Sequence, residues 1–126
     1  MGAWRLGAVA IAVIAFGAAA AAASAAQVNI VRQGSAPGKI PAGTHYYKTI
    51  QGAVNASTSG DWVLIEPGIY REQVKVTSAH SGIWIRGMNR NTVILDGQNQ
   101  PGNGIEIYKA SNVWVENLTA RNFDTG

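Results

Sequence analysis

Seven carboxylates are the residues with the most evident capacity for acid–base or metal chemistry in this chain. No two of them form a D-x-D or D-x-x-x-D cluster, whereas a hard cation needs several oxygen ligands together. The histidines, His45 and His80, lie apart in loop-like segments. The sequence therefore assigns no metal ligand and no catalytic residue. The carboxylates are Asp61, Glu66, Glu72, Asp96, Glu106, Glu116 and Asp124.

At three charged sites the residue pattern favours a structural role over sugar chemistry. Arg71 and Glu72 are adjacent, which is typical of a solvated corner with a local ion pair. Asp96 follows an aliphatic strand and precedes a glycine, so it suits a turn better than a catalytic acid. Glu106 has no second carboxylate paired with it by sequence, as glycoside hydrolysis requires.

Trp84 and Trp114 are the candidate substrate-binding residues. Both are predicted to point outward from short strands, and exposed aromatic faces are platforms for sugar rings. They belong to different series of strands, so the sequence does not place them on one face. Packing under a loop or against the N-terminal segment is the favoured alternative.

Composition limits the classes of function. The 126 residues include no Cys, which excludes disulfides, thiolate catalysis and Cys-ligated metals. The formal net charge is +3, and no block of Lys or Arg occurs, so nucleic-acid binding is not expected. One small domain is the natural size for this length.

Residues 1–26 are predicted to be a secretory signal peptide. Arg5 supplies a positive start, an Ala-rich apolar stretch follows, and Ala23-Ser24-Ala25 is an A-x-A cleavage pattern. A membrane anchor is the alternative, because the apolar stretch is close to the length that spans a bilayer. Cleavage would leave a secreted or cell-envelope protein with no membrane segment.

Residues 27–46 are predicted to be an irregular lead-in with one edge strand near Val28 to Val31, because Gly and Pro are frequent there. Apolar residues at i, i+3, i+6 and i+7 then predict a short amphipathic helix from Tyr47 to Ala56. Such a helix needs a surface to cover, and the open end of the first strand layer is the nearest one.

From Asp61 onward the pattern changes to short strands separated by turn residues. They form two interleaved series with a shared period of about 20 residues, which is typical of a solenoid whose stacked strands bury a common core. The first series is Val63–Ile65, Ile83–Ile85 and Ile105–Ile107, and the second is Val74–Val76, Val93–Leu95 and Val113–Val115.

The first and third residues of each strand are predicted to point inward and to form aliphatic columns. The middle residues are predicted to point outward: Leu64, Trp84 and Glu106 in the first series, and Lys75, Ile94 and Trp114 in the second. An antiparallel sandwich also has short strands at this spacing, but it gives no reason to keep aliphatic pairs in register. A parallel coil is therefore favoured.

Four segments together resemble the start of right-handed parallel β-helix proteins of the pectin-lyase-like superfamily. They are YKTIQGAV, GDWVLIEPGIYREQVKV, TVILDGQ and GIEIYKASNVWVENLTARN, within Tyr47 to Asn122. The resemblance implies an all-β parallel β-helix, with residues 47–126 as an N-terminal capping helix and the first coils. Asn117 and Gly97 then fall at corners that favour left-handed dihedral angles, and Asn at such a corner can hydrogen-bond along the stack.

The resemblance also implies a function for the whole protein. Superfamily enzymes stack more coils and carry catalytic Asp, Arg or Lys and calcium ligands on middle coils. This chain is therefore expected to be an inactive N-terminal piece of a protein that acts on extracellular polysaccharide, by pectate-lyase-like or related glycan cleavage, with Ca²⁺ a candidate cofactor of the full-length protein only. The alternative is a noncatalytic β-helix for carbohydrate binding or cell-surface adhesion.

Overall fold

The computed structural model describes residues 25–124, so the predicted signal peptide lies almost wholly outside the described residues. Within them the chain is mostly β-structure with one short α-helix and a 3₁₀ turn, Ser78–His80. The helix is α1 (Ile50–Ala56). The strands are β1 (Val28–Val31), β2 (Thr44–Tyr47), β3 (Trp62–Ile65), β4 (Gly68–Tyr70), β5 (Val74–Val76), β6 (Trp84–Gly87), β7 (Val93–Gln100), β8 (Ile105–Ile107), β9 (Trp114–Glu116) and β10 (Thr119–Phe123).

The strands form three sheets, and every described pair of strands is parallel. The first sheet has the order β2-β1-β3-β6-β9, the second β10-β7-β4 and the third β5-β8. From β3 onward the chain visits the first, second and third sheets in turn, and it then repeats this order one layer higher. This arrangement is compatible with a β-helix.

The two-series register expected from the sequence is wrong. Ile85 pairs with Val63 below it and Val115 above it, while Val74 pairs with Ile105. Each column therefore combines residues that the sequence placed in different series. The reason is β4, the second-sheet strand of the first full coil, which the pattern missed. The coil steps in the first sheet are 22 residues from Trp62 to Trp84 and 30 from there to Trp114.

The core lies between the three sheets, and the predicted inward positions of the lower coils are buried. Burial is complete or nearly so for Val31, Ile50, Ala53, Val54, Val63, Ile65, Tyr70, Val74, Val76, Ile83, Ile85, Val93 and Leu95. In the upper layer Ile105 and Val113 are half-buried, whereas Ile107 and Val115 are exposed. Among the described residues no further layer covers these upper residues, so they are not fully buried although they point inward.

Helix α1 closes the lower end of the core, as expected, although it begins at Ile50 rather than Tyr47. Its apolar face buries Ile50, Ala53 and Val54, and it contacts β1, β2, β3 and β5. The side chain of Thr49 caps it by accepting a hydrogen bond from the Gly52 amide at 3.0 Å. The lead-in differs from the prediction, because it holds two strands and β1 is internal, with β2 at the edge.

Two corner predictions have different outcomes. Asn117 has φ +58°, and its side-chain amide donates to the Gly87 carbonyl oxygen one coil below at 2.8 Å, so both its left-handed dihedral and its bond along the stack are confirmed. Gly97 is not left-handed; it lies inside β7, where a Cβ would overlap the Asn122 carbonyl and the Phe123 ring. This position therefore requires a glycine because the next coil approaches it closely.

Gly87 allows a direct test of the coil spacing. A Cβ there would overlap the backbone carbonyl of Asn117, which cannot move without disturbing the ladder, whereas a Cβ at Gly38 meets nothing within 4 Å. We expect Gly87→Ala to lower the free energy of unfolding by about 1–3 kcal/mol and Gly38→Ala to change it by less than about 0.5 kcal/mol. Urea unfolding of both variants measures this, and equal effects would refute the spacing.

Candidate functional site

The structure brings Trp84 and Trp114 together on one outer face, where they join Trp62. The three side chains start β3, β6 and β9 and are in register. The ring centroids of Trp62 and Trp84 are 5.0 Å apart, and those of Trp84 and Trp114 are 4.2 Å apart, with the planes tilted by 16° and 5°. We call these three residues the tryptophan row. The sequence did not place Trp84 and Trp114 on one face; the parallel pairing of β6 with β9 does.

Stacking decides which ring surfaces of the tryptophan row remain available. Both faces of Trp84 are covered by the neighbouring indoles, so its edge is what the solvent reaches. Trp114 is 46% exposed, and among the described residues no strand lies beyond β9. Sugar binding by Trp84 and Trp114 stays a prediction. Trp114 therefore has a free ring face on which a sugar can stack, whereas Trp84 has none.

A second row lies beside the tryptophans on the same face. Arg86 and Glu116 are in register, and the Arg86 Nη1 and Glu116 Oε1 atoms are 2.9 Å apart. At the foot of the face, the Arg32 Nε and Glu66 Oε2 atoms are 2.6 Å apart, and the Arg32 guanidinium lies 5.0 Å from the centroid of the Tyr46 ring. The charged side chains of this face therefore form ion pairs with each other between neighbouring layers.

A shallow cleft lies where the second and third sheets meet. Its volume is about 240 Å³, which is smaller than the roughly 300–1,000 Å³ of pockets that enclose small molecules. The connection from β4 to β5, the second half of β7 and the end of β10 form it. We call it the β4–β7 cleft, and its lining residues are Arg71, Glu72, Gln73, Asp96, Gly97, Gln98, Gln100 and Phe123.

The two carboxylates of the β4–β7 cleft hold the fold together. Glu72 does not form the expected pair with Arg71. Its two oxygens accept the backbone amides of Ile50 at 3.1 Å and Gln51 at 2.8 Å, where they complement the positive end of α1. Asp96 lies inside β7 rather than in the predicted turn, although it accepts the Gln98 amide at 3.0 Å as a turn residue does.

Asp96 is also tied to the coil above. Asn122 Nδ2 donates to it at 3.1 Å and Arg121 Nη2 at 3.2 Å. The backbone bond from Gln98, followed by the bonds from Asn122 and Arg121, lowers the pKa of the Asp96 carboxyl below its ordinary value. Asp96 is therefore held as a carboxylate and is a poor proton donor at neutral pH.

Arg71 is the remaining charged group of the cleft. It is exposed, and among residues 25–124 it forms no ion pair. Gln73, Gln98 and Gln100 line the same cleft. A guanidinium with neighbouring amides suits a ligand that carries both a carboxylate and hydroxyl groups. The sequence could not identify this combination, because the unrecognised strand β4 is what brings Arg71 beside β7.

The other predicted candidates have structural partners. Glu106 lies opposite Lys75, with the Lys75 Nζ and Glu106 Oε1 atoms 3.7 Å apart. His45 lies in β2 rather than in a loop, and its Nε2 atom is 3.1 Å from the side-chain oxygen of Gln27. His80 Nδ1 is 2.8 Å from the Ser57 carbonyl oxygen. Within residues 25–124 no three His, Asp or Glu residues are grouped so as to hold a metal ion.

Comparisons with known proteins find one relevant similarity. Pectinesterase 3 of Citrus sinensis is 31% identical to this chain over 77 residues, which cover 58% of the chain and 13% of that protein. The chain thus spans about an eighth of the length of this relative. No family model and no solved structure matches. The similarity supports the pectin-lyase-like superfamily at most. In the described part of the chain, no helix is long and apolar enough to cross a membrane.

The middle position of the tryptophan row predicts unequal effects of substitution. Trp84→Ala removes two stacked contacts and Trp114→Ala removes one, and each such contact contributes about 0.5–1.5 kcal/mol beyond area burial. We expect Trp84→Ala to lower the free energy of unfolding by about 1 kcal/mol more than Trp114→Ala does, as measured by urea unfolding. An equal loss in the two variants would show that the row is not stacked in solution.

Proposed function

We propose that the chain is the N-terminal part of an exported, right-handed parallel β-helix protein of the pectin-lyase-like superfamily, and that the whole protein acts on a pectin-related polysaccharide. The observation that carries this proposal is the 31% identity to a pectinesterase over 77 residues. The parallel three-sheet arrangement supports it independently, because such a stack is what the superfamily resemblance implies.

The chain's own part in this function is a scaffold that contacts the polysaccharide at the β4–β7 cleft, in addition to the sugar binding predicted for Trp84 and Trp114. Pectin's galacturonate units carry a carboxylate and hydroxyl groups on one ring. The exposed Arg71 guanidinium matches the carboxylate and the glutamine amides match the hydroxyls. The shallow volume suits contact with one unit of a polymer that runs across the surface.

The alternative, a noncatalytic carbohydrate-binding or adhesion role, is favoured by one observation. Six of the seven carboxylates have structural partners: Asp61, Glu66, Glu72, Asp96, Glu106 and Glu116. General acid–base catalysis needs carboxyl groups that face the substrate with suitable pKa values. Catalysis by the full-length protein would therefore use residues outside this set. Methanol release from methylesterified pectin, or unsaturated products from polygalacturonate with calcium, would favour the enzyme over the binder.

The cleft contact can be tested on this chain. We expect Arg71→Gln to weaken binding of polygalacturonate oligosaccharides by about tenfold, because a hydrogen bond to a charged group is lost. Arg90→Gln is the matched control, since Arg90 is also exposed but lies outside the cleft, and it should change the affinity by less than about twofold.

Isothermal titration calorimetry gives both affinities, with fully methylesterified oligosaccharides as a neutral ligand. Binding of the neutral ligand should respond little to Arg71→Gln, because the ester has no charge to pair with. Equal losses for the two arginine variants would indicate nonspecific charge attraction. Absence of any polygalacturonate binding would refute the contact.

A further inference from the structure

Asp61 is a buried carboxylate whose partners are all neutral. It is 4% exposed and directly precedes β3. One oxygen accepts the backbone amide of Gln27 at 2.8 Å, and the other accepts the Thr58 amide at 2.9 Å and the Thr58 hydroxyl at 3.3 Å. Among residues 25–124 no Lys, Arg or His side chain is paired with it. Buried carboxylates usually have a cationic partner.

The Gln27 nitrogen lies at the predicted cleavage point of the chain. Residues 1–26 are the predicted signal peptide, so Gln27 is the first residue that remains after their removal. Gln27 is fixed by the ladder, because its carbonyl oxygen accepts the Trp62 amide at 2.9 Å and the next residue, Val28, begins β1. Ala25 and Ala26, by contrast, are exposed.

We infer that removal of residues 1–26 turns the Gln27 nitrogen into an α-ammonium group that forms a partly buried ion pair with Asp61. Hydrolysis breaks the bond between the Ala26 carbonyl carbon and the Gln27 nitrogen; water supplies hydroxyl to the carbon and a proton to the nitrogen. The new amine then takes a second proton from solvent. The atom that donated a neutral hydrogen bond to Asp61 at 2.8 Å becomes its charged partner. The inference rests on the signal-peptide prediction and is independent of the polysaccharide proposal.

The ion pair would couple processing to stability. In the precursor Asp61 has only neutral donors, whereas in the processed chain a charge-assisted bond joins β1 to the segment before β3. This bond lies at the lower layer of the first sheet, on which β6 and β9 are stacked. The exported form is therefore more stable than a form whose Gln27 nitrogen remains an amide.

The pair would also protect the new terminus. An N-terminal glutamine cyclises when its α-amine attacks its own side-chain amide carbon and ammonia leaves. A nitrogen held as ammonium by Asp61 has no lone pair for this attack. The Gln27 side chain is held as well, since its oxygen is 3.1 Å from His45 Nε2. The folded, processed chain therefore keeps an open Gln27.

The exported product of the full-length chain is the protein to test. Intact-mass measurement and N-terminal sequencing should give an uncyclised chain that starts at Gln27, and a start at another residue would overturn the inference. Asp61→Asn should increase the rate of ammonia loss from the terminus. Asp124→Asn, which alters an exposed carboxylate, is the matched control and should leave that rate unchanged.

Stability gives a second readout that needs no substitution in the core. Selective acetylation of the α-amine restores a neutral amide at Gln27 like that of the precursor. Acetylation should raise the unfolding equilibrium constant of the wild-type protein about fivefold or more, as expected for coupled partners. In Asp61→Asn it should have little effect. If Asp61→Asn does not fold, the wild-type comparison decides, and no effect of acetylation there would overturn the inference.

Discussion

Each strand of this fold has only three to eight residues, and most have three or four, so none can bury an apolar side by itself. Burial requires that each strand lie directly over the one below with its inward residues in register. The chain has no Cys, so no covalent cross-link can hold the coils. Parallel backbone ladders and the columns that they align are therefore the interaction on which the remaining features depend.

The outer faces follow from the same register. When Ile85 lies over Val63, the residue before it places Trp84 over Trp62, and the residue after it places Arg86 above Leu64 and below Glu116. Stacked indoles and interlayer ion pairs are consequences of the ladder that also stabilise it. Such exposed ion pairs contribute little each, so the inner columns provide most of the stability.

Carboxylates at and near the corners join neighbouring elements and also fix the walls of the β4–β7 cleft. Glu72, in the corner between β4 and β5, accepts hydrogen bonds from the first amides of α1, and Asp96 joins β7 to β10. Both carboxylates therefore hold neighbouring elements together. Because these bonds fix the walls of the β4–β7 cleft, the backbone at Arg71 has a defined position beside β7. The proposed polysaccharide contact thus depends on structural carboxylates that are themselves unsuited to catalysis. Glu72, Asp96 and Glu106, for which the sequence favoured structural roles over sugar chemistry, all have structural partners.

Sequence patterns located most strands but not their stacking. Val63 to Ile65, Val74 to Val76 and Val93 to Leu95 were identified because alternating aliphatic residues are a local signal. Strand β4 was missed, since Gly68-Ile69-Tyr70 follows a proline and reads as a turn. Without β4 the coil had two strands instead of three, and the register, the tryptophan row and the cleft could not be derived. Pairing between strands 22 or 30 residues apart depends on corner geometry, which composition does not encode.

A disulfide test of the first-sheet register examines the central claim most directly. In the structure Arg86 lies opposite Glu116, whereas the period of about 20 residues places Trp84 opposite Glu106. Neighbouring strands of a sheet are close enough for a disulfide, and the chain has no competing Cys. We expect the pair Arg86→Cys and Glu116→Cys to oxidise to an intramolecular disulfide in the folded protein. Oxidation of Trp84→Cys with Glu106→Cys, and not of the first pair, would contradict this register.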